Sequence, residues 1–90
     1  MKQIPVIDMK ATGKNIVRLR EEAGLSVKEF AYLLGFESPQ AVYKWQCGIN
    51  IPSVDNLLIM AAVLGTTMEE IVVTVLIDIN ENNIDRHRCR

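Results

Sequence analysis

Four side chains able to hydrogen-bond or carry charge, Gln40, Tyr43, Lys44 and Cys47, recur at i, i+3, i+4 and i+7 within the stretch SPQAVYKWQCG, residues 38 to 48. An amide, a phenol, an ammonium and a thiol on one helical stripe form a surface suited to contacting a partner rather than to burial. Val42 and Trp45 lie on the opposite side at anchoring spacing, so Trp45 reads as core. Ser38 stands at an N-cap position, Pro39 at the first helical position, where a missing N–H costs nothing, and Gly48 at a left-handed exit. A helix of about two and a half turns is not stable alone in water. Val42 and Trp45 must therefore seat it on another element, which holds the polar stripe outward.

Other chemistry is sparse. No glycine-rich phosphate loop, no pair of carboxylates framed by apolar residues and no nucleophile with a nearby histidine in a foldable region occurs, so neither an enzyme nor a cofactor is expected. The only histidine, His87, sits beside Cys89 near the end of the chain, two ligands without a scaffold, so no metal site is expected either. Cys47 and Cys89 are far apart and form no CxxC pair, which fits free thiols in a reducing compartment. Oxidation of Cys47 would disturb the polar stripe on which it lies. The formal net charge is −1 and the pI about 5.7, so any binding to a polyanion must come from a local patch. MKQIPVIDMK is too short for a signal peptide, and no apolar run approaches the length of a membrane span. These features predict a soluble cytoplasmic protein with no membrane partner and no evident small-molecule ligand.

Ninety residues, about half of them apolar, suffice for one domain with one modest core. Five helical pieces follow from the punctuation between Thr12 and Ile71. The first runs from a Thr12 cap through KNIVRLREEA to Gly24, with Ile16, Leu19 and Ala23 on its inner face. The second, SVKEFAYLLG, opens with a capping box of Ser26 and Glu29 and buries Val27, Phe30, Ala31 and Leu34. The third is the polar-striped helix. The fourth, SVDNLLIMAAVLG, is capped by Ser53 and closed by Gly65, and the short fifth starts at TTMEE with Thr66 and Glu69, or Thr67 and Glu70, as a further capping box. Leu57 to Leu64 is apolar all round, so a second surface must cover the fourth helix. The β-branched runs QIPVIDM and VVTVLIDI at the two ends could pair as a small sheet and supply that cover, with Pro5 confined to an edge; the alternative cover is a second copy of the chain. Residues 1–11 thus read as an N-terminal extension, 12–72 as the helical domain, 73–79 as a strand and 80–90 as a disordered, weakly basic tail.

The second and third helices, joined by a glycine-containing turn with the small Ala31 at their crossing, have the form of a helix-turn-helix. GKNIVRLREEAGLSVKEFAYLLGF, then AVYKWQCG, then IPSVDNLLIMAAVLGTTMEEI resembles the lambda-repressor-like (Cro/repressor, XRE) DNA-binding family over about residues 13 to 72. The ordered landmarks are LRxxxGLS at Leu19 to Ser26, FAxxLG at Phe30 to Gly35, VxxW at Val42 and Trp45, IPS at Ile51 to Ser53, LLxxAAxLG at Leu57 to Gly65, and the acidic cap at Glu69 and Glu70. Any one fragment is weak, whereas the ordered set is specific.

The resemblance implies an all-α, five-helix fold in which residues 39–47 form the recognition helix in the major groove, while the second helix crosses the phosphate backbone. Carried over, Gln40, Ala41, Tyr43 and Lys44 become base-contacting positions: Gln40 with an amide suited to adenine, Ala41 facing a thymine methyl, Lys44 to guanine or phosphate. Ser26, Lys28, Ser38, Asn50 and Arg20 become phosphate-contacting positions. The chain departs from the family pattern at Val27, where a bracing Gln is common, at Gln46, where a Glu often pairs with the arginine equivalent to Arg20, at Cys47, where a basic residue or Asn is common, and in a turn from Phe36 to Ser38 one residue longer than usual. The implied function is sequence-specific regulation of transcription by a homodimer on double-stranded DNA. The competing reading is a protein-interaction module, antitoxin-like or an adaptor, that uses the same fold and the apolar fourth helix; the acidic pI and the loss of a basic residue at Cys47 favour it.

Overall fold

A computed structural model describes residues 2–79 as strand β1 (Lys2–Ile7), helices α1 (Met9–Glu22), α2 (Val27–Leu33), α3 (Gln40–Gln46), α4 (Val54–Leu64) and α5 (Met68–Ile71), and strand β2 (Thr74–Ile79). The expected tail at 80–90, with His87 and Cys89, lies outside the described residues.

Short polar side chains set the helix starts. Ser26 and Glu29 form the expected reciprocal capping box on α2, the Ser53 hydroxyl accepts from the Asn56 N–H on α4, and the Thr67 hydroxyl accepts from the Glu70 N–H on α5. The Glu70 carboxylate does not close a box with Thr67; it accepts from the Thr66 hydroxyl at 2.7 Å. Two expected starts move. α1 begins at Met9, because Asp8 caps it by accepting from the Ala11 N–H at 3.0 Å. Thr12 is instead buried inside that helix, where its hydroxyl accepts from the Val73 N–H at 2.9 Å and donates to the Val73 carbonyl. α3 begins one residue later than expected: Pro39 occupies the cap position, its carbonyl accepts from the Tyr43 N–H, and Ser38 makes no capping bond. Ala23, expected on the inner face of α1, is the exposed C-cap residue.

The core draws on all five helices: Ile16 from α1, Phe30 and Ala31 from α2 with Leu34 at its end, Val42 and Trp45 from α3, Leu57 and Met60 from α4, and Ile71 from α5. α5 is tied back to α1 by Asn15, whose amide donates to the carbonyls of Glu70 and Ile71 at 2.7 and 3.0 Å. The terminal strands pair antiparallel, as their composition suggested, with Pro5 opposite Leu76. They do not cover α4. No strand residue joins the core cluster, Leu58 and Ile59 on α4 stay exposed, and the described chain is drawn out to 45 × 22 × 19 Å. The ribbon is held at its base, where Asp8 and Thr12 bond to Val73, rather than along a helix face.

Candidate nucleic-acid interface

α3 is seated from below by the buried side chains Val42 and Trp45, and Phe36 meets the Trp45 ring edge-on at a centroid separation of 5.7 Å. α1 crosses the C-terminal end of α3 so closely that only a glycine fits at position 13. A Cβ there would lie 2.6 Å from the Gln46 carbonyl oxygen and closer still to that of Trp45. Gly48 leaves α3 at φ +74°, and a Cβ on it would meet the Lys10 backbone at 2.9 Å. These two close approaches fix the pose of a helix of only seven residues.

Arg20 is the third constraint. The residue is 9% exposed; Nε donates to Gln46 Oε1 at 3.1 Å and Nη1 to the Leu25 carbonyl at 2.8 Å. The nearest carboxylate oxygen, on the exposed Glu21, stands 3.9 Å from Nη2. The expected pairing of Arg20 with Gln46 is present, and Arg20, expected to be more available to phosphate beside a neutral amide, is buried. Through Nε and Nη1, Arg20 joins α1 to the end of α3 and to the α1–α2 turn.

The outer side of α3 carries what the sequence placed there. Gln40, Tyr43, Lys44 and Cys47 are exposed, Cys47 as a free thiol, and Ala41 is half-buried against the core. Gln40, Ala41 and Lys44 share one depression of about 400 Å³ with Ser38 from the preceding turn and Asn50 from the following loop. Tyr43 stands outside it, half exposed. Lys28 belongs to a neighbouring apolar groove of about 810 Å³ between α2 and the 36–39 turn, and Ser38 lines both. Gln40, Ala41, Lys44, Ser38, Asn50 and Lys28 thus line two hollows that meet at Ser38, whereas Tyr43, Ser26 and Arg20 line neither.

Glu37, and the effect of the Glu29 charge at the start of α2, were not read from the sequence. Glu37 lines both hollows, next to Ser38. Glu29 places its carboxylate at the start of α2, where Oε1 accepts from the Ser26 N–H at 2.9 Å, and Ser26 Oγ accepts from the Glu29 N–H at 3.0 Å. Hydrogen bonding of the carboxylate to the Ser26 backbone first, and to the Ser26 side chain second, lowers the Glu29 pKa below its ordinary value. The signal was in the capping box itself, which assigns a negative charge to the same helix end that a phosphate would use. Among the described residues no cluster of three or more His, Cys, Asp or Glu side chains could hold a metal, and no helix is long and apolar enough to cross a membrane.

Comparison with known proteins gives a consistent picture. A family model described as helix-turn-helix (HTH_3) matches residues 16–71. Among solved structures, the restriction-modification controller protein C.AhdI from Aeromonas hydrophila superposes with a TM-score of 0.65 at 28% identity, over 71% of this chain and 96% of that one. A transcriptional regulator from Listeria innocua superposes with a TM-score of 0.63 at 24% identity, over 84% of this chain and 70% of that one. The clp gene regulator ClgR from Corynebacterium glutamicum does so at 0.63 and 21%, over 70% and 66%, and these last two likenesses speak for the fold alone. Among curated proteins no sequence matches. With more than half of its length matched, and with α2, the turn and α3 arranged as described, the chain belongs to the lambda-repressor-like (XRE) helix-turn-helix family of DNA-binding transcriptional regulators and is not an enzyme.

Proposed function

We propose that the protein binds double-stranded DNA sequence-specifically as a homodimer and regulates transcription in the cytoplasm, with α3 in the major groove. The observation that carries this reading is the shared depression: Gln40, Ala41 and Lys44 on α3 stand beside Ser38 and Asn50, on a helix held rigidly from behind by Gly13 and Arg20. Gln40, in the first turn, reads a base edge with its amide, and Tyr43 and Lys44 reach bases or phosphates one turn on. Ala41 contacts a thymine methyl. Lys28, Ser38, Asn50 and the Ser26 hydroxyl contact the backbone and set the register. One copy offers too few base contacts for strong specificity, so two copies occupy half-sites about one helical turn apart.

A second reading has one observation in its favour. Val54, Leu58 and Ile59 leave an aliphatic face of α4 in solvent, which a different protein could cover if the domain were an adaptor or antitoxin-like module.

Selection from a random duplex pool at two salt concentrations, with wild type, Gln40→Ala and Lys44→Ala, separates the two. The expected result is an enriched two-fold motif whose preference relaxes at one position per half-site in Gln40→Ala, at a cost of about 1–3 kcal/mol, and weaker binding by Lys44→Ala. No enrichment, and no binding even at low salt, would overturn the regulator reading in favour of the interaction module.

A further inference from the structure

Opposite charges share the depression beside α3 without meeting. Its volume of about 400 Å³ is lined by one carboxylate, Glu37, and one ammonium, Lys44. Both side chains are exposed, and among the described residues neither has a hydrogen-bond or ion-pair partner. Glu29, the acid of the adjoining groove, differs: its carboxylate accepts from the Ser26 N–H at 2.9 Å.

The turn that carries Glu37 is held at both ends. Before it, Phe36 donates its N–H to the Ala31 carbonyl at 2.9 Å and sets its ring against the edge of Trp45 at a centroid separation of 5.7 Å. After it, Pro39 caps α3, with its carbonyl accepting from the Tyr43 N–H at 3.0 Å. The Glu37 backbone is thus positioned against Gln40 as firmly as α3 itself, while its carboxylate is left for a ligand.

With α3 in the major groove, a carboxylate at this place either repels every duplex or takes a hydrogen bond from a base. The shared hollow favours the second, because a base edge that reaches Gln40 lies beside Glu37, and the Lys44 charge offsets the field that the carboxylate brings among the phosphates. An ionised carboxylate only accepts. In the major groove guanine shows two acceptors, adenine sets its N7 acceptor beside its amine, and thymine shows an acceptor and a methyl group; cytosine alone offers a donor without an acceptor next to it. We infer that Glu37 is a specificity-determining residue, which accepts a hydrogen bond from the N4 amine of one cytosine in each half-site, next to the base read by Gln40. The inference rests on the proposed DNA-binding function and deepens it. Glu37 is the one acceptor-only side chain of the depression, so it selects a base that Gln40, Ala41 and Lys44 do not.

The test is selection from a random duplex pool with the full chain as wild type, Glu37→Gln and Glu37→Ala. Wild type should enrich a cytosine adjoining the position that relaxes in Gln40→Ala. Glu37→Gln should move that cytosine toward adenine, whose N6 and N7 match an amide, and Glu37→Ala should lose the preference there, each a change of about tenfold in relative affinity with the rest of the motif kept. A binding cycle then isolates the contact. Replacing that cytosine by pyrimidin-2-one, which lacks the N4 amine, should weaken wild type about tenfold more than it weakens Glu37→Ala. Equal weakening of the two proteins, or Glu37 variants that bind every duplex more tightly with the wild-type motif, would overturn the inference and leave Glu37 a repelling charge, while the Gln40 readout stands. No enriched motif for wild type itself would overturn the regulator reading, and this inference with it.

Discussion

Arg20 holds a buried positive charge against a neutral amide, an arrangement that local composition alone does not explain. Its contacts with Gln46 and the Leu25 carbonyl use two of the five guanidinium N–H groups and leave its charge with only a distant carboxylate at the exposed Glu21. Gln46→Glu would put an anion at the 3.1 Å position of the present amide oxygen, where a charge-assisted bond is shorter and stronger. Since the cation is already desolvated in wild type, the new cost is only that of the half-buried carboxylate. The expected outcome is a gain of about 1 kcal/mol in denaturant unfolding at neutral pH. Equal or lower stability would show that desolvation of the new carboxylate wins. That Arg20 and Gln46 are partners was legible in the sequence. That the pair is buried was not, because the burial depends on the Leu25 carbonyl and the α1–α3 crossing at Gly13, contacts that no periodicity within one helix reports.

At the scale of the element, α2 shows how a stable start can oppose a functional one. The capping box was visible in SVKE, yet its carboxylate occupies the helix end where the family's phosphate contact is expected. Glu29→Gln keeps the box, since either residue can bond the Ser26 N–H, but removes the charge beside Lys28. Binding to arbitrary duplex DNA at low salt should strengthen several-fold, and unchanged or weaker binding would mean that α2 stays clear of the backbone. The pH dependence has a definite sign. Because folding lowers the Glu29 pKa from its ordinary 4.5, its contribution to stability is present above that value and is lost as pH falls through the lowered one. Thermal melts from neutral pH to below 4.5 should therefore fall more steeply for wild type than for Glu29→Gln. Elsewhere the elements were read well wherever a cap and a stop residue bracket an apolar period, as in α4 between Ser53 and Gly65. α1 was misread because Asp8 and Thr12 are both capping types, and a tertiary bond from Thr12 to Val73 decided between them. Composition offered the ribbon or a second copy of the chain as cover for α4, but whether a ribbon covers a helix depends on the direction in which it leaves its base.

For the whole molecule, a formal charge of −1 means that affinity for DNA comes from where the cations stand rather than from how many there are. Lys28 and Lys44 lie on the α2–α3 side, Arg18 is paired with Glu22 on α1, and Arg20 is buried. A dimer that presents Lys28 and Lys44 twice neutralises about four phosphates, so log Kobs should fall against log salt with a slope of about −3.6. Lys28→Ala removes two of those contacts from the dimer and should bring the slope to about −1.8, while the selected motif stays the same, because a phosphate contact carries no sequence information. Gln40→Ala should do the reverse, keeping the slope and loosening the motif. If Lys28→Ala altered the motif, α2 would be lying over base edges instead of the backbone. If its slope did not change, the apolar groove that Lys28 shares with Tyr32 and Phe36 would face away from DNA and be free for another partner.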